Sequence, residues 1–80
     1  MNCNVEILSE VPHKLVEDDW NLCFQSVVYH YDDAKPQKGF RFIWRRPDGS
    51  LQAARGQARI DSFEQMESLI NEAKKAGFFD

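Results

Sequence analysis

The sequence predicts an α+β fold: a small antiparallel sheet of three to four strands with a C-terminal helix packed across one face. Three observations predict it. Residues 39–60 alternate with period two on both sides of the tetrapeptide Arg46-Pro47-Asp48-Gly49, the pattern of a tight hairpin. Residues 25–31, Gln-Ser-Val-Val-Tyr-His-Tyr, are rich in the β-branched and aromatic residues that fit a pleated surface. From Asp61 onward the apolar spacing changes to that of a helix. Strands followed by a helix, rather than alternating with it, is the α+β order.

Asn4 to Leu8 suggests a short first strand, with Val5 and Ile7 on one face. Ser9 to Pro12 should end it, because Val11 precedes a proline and Pro12 has no N–H for a ladder. Residues 12–19 contain Glu17-Asp18-Asp19 and read as a turn or short helix. A long strand is expected from about Trp20 to Tyr31. Asp32 to Gly39 is a polar connection with proline and glycine, suited to a longer hairpin loop. Either Asp61 or Ser62 can cap the helix, with Glu64 or Gln65 three residues on. Phe63, Met66, Leu69, Ile70 and Ala73 form its apolar stripe. Gly77 suits a left-handed cap, with Phe78 folding back on the last turn.

Eighty residues are expected to make one domain, 1–80, with a single small core. No apolar run is long enough to span a bilayer, and the N-terminus lacks the pattern of a secretory signal, so a cytoplasmic location is expected. Two cysteines, Cys3 and Cys23, are too few for a disulfide scaffold and read as thiols. Cys23, between Leu22 and Phe24, reads as a small core residue.

The hairpin turn predicts two unlike faces. With Pro47, Asp48 and Gly49 at the tip, Arg46 faces Ser50, Trp44 faces Gln52, Phe42 faces Ala54 and Phe40 faces Gly56. Ala58 and Ile60 continue this side. Large aromatics beside small residues leave a trough that the helix stripe can fill, so this face is expected to be core. The other side carries Arg41, Ile43 and Arg45 on one strand, and Leu51, Ala53, Arg55, Gln57 and Arg59 on the next. Pairing of the preceding strand is expected to add Val27, Tyr29 and Tyr31 to the core face. Ser26, Val28 and His30 would then join the arginine face, giving it an apolar centre of Val28, Ile43 and Leu51.

The charge is segregated along the chain. Residues 1–34 carry one lysine against seven acids, residues 35–59 seven basic residues against Asp48, and residues 60–80 two lysines against five acids. All five arginines lie in the hairpin. Arg41 would lie opposite Arg55, and like charges across a ladder call for something negative between them. That negative group is either an acidic segment of the same domain or a partner. The surface therefore expected to bind a partner is Arg41, Ile43, Arg45, Leu51, Arg55 and Arg59. The competing reading is a solvated face whose arginine stems cover the aliphatic residues.

Little else in the sequence carries chemistry. Cys3, His13, Cys23 and His30 are about ten residues apart, without the close pair a zinc site uses. No glycine-rich phosphate loop is present, and no cofactor is expected. The expected function is a non-enzymatic interaction or regulatory module binding an unidentified protein, or a second copy, and no membrane. Nucleic-acid binding through the same arginines is the alternative. The strand–strand–strand–helix layout resembles that of the double-stranded-RNA-binding domain. That family grips phosphates with lysines at the start of its last helix, where this chain has Asp61, Glu64 and Glu67. The overall acidity, with a pI near 5.3, also argues against this alternative.

Overall fold

The computed structural model describes residues 3–52 and 58–79. Three strands, β1 (Cys3–Val11), β2 (Asn21–Tyr31) and β3 (Gln37–Arg45), form an antiparallel sheet in the order β1-β2-β3. The helix α1 (Phe63–Lys75) follows and packs against β1 and β2. The predicted α+β architecture is therefore observed.

The hairpin turn closes as its residues dictate. Gly49 takes φ 90°, and its N–H donates to the Arg46 carbonyl at 2.8 Å. The Asp48 carboxylate accepts from the Ser50 N–H and hydroxyl at 2.9 and 2.7 Å. Those bonds hold its carboxyl below the usual aspartate range. Arg46 N–H donates to Ser50 O, Arg45 bridges Leu51, and Gln52 N–H donates to Trp44 O, which is the expected register. Ala53, Ala54, Arg55, Gly56 and Gln57 lie outside the described residues.

β1 runs further than its sequence suggests. It continues through Ser9 and Glu10 to Val11 because a bulge at Leu8 shifts the register: Ile7 pairs with Val27, but Ser9 pairs with Ser26. One extra residue reverses the side each later residue faces. Val11 is thereby turned into the core, and Glu10 onto the opposite face. Residues 12–20 form turns and bends, with no helix.

The faces of β2 are the reverse of the expected assignment. Leu22 pairs with Trp44, Phe24 with Phe42 and Ser26 with Phe40, so these β2 residues join the aromatic face, and Val28 and His30 follow them. Cys23 pairs with Ile43, Gln25 with Arg41 and Val27 with Gly39. Val27, Tyr29 and Tyr31 therefore join the arginine face, whose apolar centre is Val27, Ile43 and Leu51 rather than one built on Val28. The physical reason is that β2 is the middle strand and buries both faces: every residue from Leu22 to Val27 is buried. Its large apolar residues switch from even positions, Leu22 and Phe24, to odd ones, Val27 and Tyr29. Extrapolation from the second half alone gives the wrong side.

The core beneath α1 is Val11, Leu22, Phe24, Leu69, Ala73 and Phe78, with Phe42 and Trp44 packed against it. Ser62 is the N-cap, its hydroxyl accepting from the Gln65 N–H at 3.1 Å. Gly77 takes φ 84°, and the Phe78 N–H returns to the Ala73 carbonyl at 3.0 Å, which seats the Phe78 ring in the core. Two expected core residues, Phe63 and Phe40, are exposed, at 64% and 43%. Phe40 still stacks on Phe24 and packs against Phe79, at 5.8 and 5.0 Å between ring centroids.

Candidate functional site

The residues predicted to bind a partner are not assembled as one patch. Arg41, Ile43 and Arg45 share a face of β3, with Leu51 across the turn from Arg45. Arg55 lies outside the described residues. Arg59 is not in a strand; its carbonyl accepts from the Trp44 indole N–H at 2.7 Å, which places its backbone beside the aromatic face. Its own side chain is exposed and pairs with Asp61 at 2.9 Å. Ile43 is 4% exposed, so it is a packing residue rather than a contact surface.

What the face does contain is a polar row across all three strands. Glu10 on β1 is the direct cross-strand partner of Gln25, and Gln25 of Arg41. The Arg41 Nε–H donates to Gln25 Oε1 at 2.7 Å, and Gln25 Nε2–H donates to Glu10 Oε1 at 2.6 Å. Arg45 reaches across β2 to the same carboxylate, donating from Nε to Oε2 at 2.7 Å and from Nη2 to Oε1 at 2.8 Å. Its remaining nitrogen, Nη1, donates to the Gly49 carbonyl at 2.6 Å and ties the row to the hairpin turn. Gln25 is completely buried, and an amide there requires both its oxygen and its nitrogen to be satisfied. Among the described residues no buried side-chain nitrogen or oxygen lacks a partner.

The electrostatics follow from this geometry. Burial alone would raise the Glu10 carboxyl. The hydrogen bonds from Arg45 and Gln25, with the Arg45 charge, outweigh it and hold the group below its ordinary value. Cys23 lies on the same face between these groups. Burial, reinforced by the Glu10 charge and a hydrogen bond to it, pushes the thiol up to about 12. A thiol this hard to ionise is a poor nucleophile. Cys23 is thus buried, as its neighbours suggest, but under the arginine face and not under the helix. We expect native protein treated with iodoacetamide near pH 8 to show no label on the Cys23 peptide, and full label after denaturation. Labelling of native Cys23 at the rate of a small-molecule thiol would contradict its burial.

The acidic first third and the basic hairpin are therefore joined in part by the fold itself, through Glu10 and Arg45. Sequence reasoning misses Glu10 and Gln25. The signal is present but indirect: arginines packed on a sheet face need an acceptor, and Glu10 reads as part of a loop. Among the described residues no group of three His, Cys, Asp or Glu stands close enough to hold a metal, and no helix is long and apolar enough to cross a membrane.

Fold and site together define a small α+β domain whose sheet carries a half-buried polar row on the face opposite its helix. No family model, no curated protein and no solved structure matches the chain.

Proposed function

We propose that this chain is a small non-enzymatic interaction module whose arginine-bearing sheet face binds an acidic protein surface, on a partner or on a second copy. One observation supports this most: Arg41 is held at Nε by a neutral amide, whereas Arg45 is held by a carboxylate. The bond to Gln25 orients the Arg41 guanidinium without neutralising its charge. Gln25 is itself fixed by Glu10, so the orientation is rigid. On the same sheet face the Tyr29 ring lies over Gly39, two residues before Arg41 in β3, close enough that a Cβ there would meet the ring at 3.1 Å. An oriented arginine and an aromatic ring on one sheet face is a composition enriched at interface centres. Arg45, Ile43 and Glu10 serve as the frame, and Arg41 as the contact group.

The test uses poly-glutamate as a probe of acidic surfaces. Wild-type protein should bind it with an affinity that falls as salt rises, because the contact is between charges that dissolved ions can screen. Arg41→Gln should weaken binding by about tenfold, a loss of about 1.4 kcal/mol. Thermal unfolding should change little, since a glutamine amide can still donate towards Gln25. Absence of salt-sensitive binding by the wild type would remove the proposal. So would an Arg41→Gln protein that binds as well as the wild type.

A further inference from the structure

We infer that the first half of β1 is a strand-pairing surface for a second copy of this chain. The sheet order places β2 on one edge of β1, and among the described residues no strand pairs with the other. Every residue from Asn4 to Ile7 is exposed. Two aliphatic residues before the bulge, Val5 and Ile7, are 36% and 39% exposed. Val5 and Ile7 face the same side, opposite Tyr29 and Val27.

Natural edge strands are blunted by bulges, inward charges, prolines or lysines. The second half of β1 has three of these devices: the bulge at Leu8, the inward-turned Glu10, and Pro12 just past its end. The first half has none, and its one charge, Glu6, is paired with His30 at 2.9 Å.

The sequence of this half is complementary to itself. Antiparallel pairing about a twofold axis at Val5 sets Val5 against Val5, Cys3 against Ile7, and Asn4 against Glu6. Val5 meets Val5 on one face, and the acid meets a neutral amide. Centring the axis on Glu6 would oppose two carboxylates, which is unfavourable. Centring it on Ile7 would bring the bulge into the ladder. Shifting by a half-step would set the aliphatic residues of the two copies on opposite faces. Among these registers the one centred on Val5 avoids each conflict, and it joins two three-stranded sheets into one continuous sheet. So short a contact belongs to the small, transient class of interface.

The surface is separate from the arginine face, and the inference does not rest on that reading. Sedimentation of the full chain from micromolar to millimolar concentration provides the test. A monomer–dimer equilibrium is expected, unchanged in about 0.5 M salt because apolar and backbone contacts carry it. Val5→Lys and Val5→Glu should each raise the dissociation constant by about tenfold or more, with unchanged circular dichroism. An equimolar mixture of the two variants should restore the dimer, because only in this register does the ammonium introduced in one chain meet the carboxylate introduced in the other. A monomer at every concentration overturns the inference, and so does a dimer that Val5→Lys leaves intact. A dimer dissolved by salt and by Arg41→Gln also overturns it, and assigns association to the arginine face instead.

Discussion

Phe24→Ala is expected to cost about 3–5 kcal/mol, the range for truncating a buried phenylalanine. Stability for a chain of this length is roughly 4–12 kcal/mol, so the variant loses at least about a quarter of it. Phe24 is 6% exposed and stands at the centre of the aromatic cluster. Its ring lies 4.7 Å from Phe42, 5.8 Å from Phe40, and 6.1 Å from both Phe78 and Phe79, centroid to centroid. The alanine side chain would leave a void that touches the sheet, the helix C-terminus and the returning tail together. Phe24→Leu keeps most of the volume and should cost about 1–1.5 kcal/mol. Urea titration reads both. A loss below about 1 kcal/mol for the alanine variant would mean that the cluster is not what joins helix to sheet.

Glu10→Ala is expected to cost about 3 kcal/mol, because it strands two groups rather than one. Arg45 loses a bidentate acceptor, and the fully buried Gln25 loses the acceptor for its amide. Arg59→Ala, which breaks the exposed pair with Asp61, should change stability by less than about 1 kcal/mol. The contrast separates a structural ion pair from a surface one. The same carboxylate predicts an acid limb. Its folded pKa lies below its ordinary value of 4.5, so its contribution is fully present above that value. The contribution is lost as pH falls through the lower folded pKa. Urea titrations at pH 7 and at pH 3 should therefore show a steeper loss for the wild type than for Glu10→Gln. Equal losses would show that Glu10 is not a source of acid sensitivity.

These two residues differ in how far the sequence reveals them. Phe24 sits in a strand whose β character is plain. Its partners Phe40, Phe42 and Trp44 are placed on one face by the turn at Pro47-Asp48-Gly49 alone. The helix, its Ser62 cap and the return of Phe78 past Gly77 are likewise local matters, each decided within a few residues. Local chemistry is enough where a hydrogen bond or a cap spans three or four positions. That is why the turn, the helix and the fold class can be read directly.

Tertiary structure decided the rest, and the reason is phase. A strand's side chains alternate, so one inserted residue or one register step exchanges its faces. The bulge at Leu8 has no sequence mark; it exists because β1 must present Val11 to Leu22 and Phe24 while presenting Glu10 to Gln25 and Arg45. The register between β2 and β3 likewise depends on packing on both sides of β2. The sequence determined that Arg41 and Arg45 would share one side of β3 and Phe40, Phe42 and Trp44 the other. Only the assembled sheet determined which acid meets Arg45, and that Arg41 is held instead by a buried, uncharged amide.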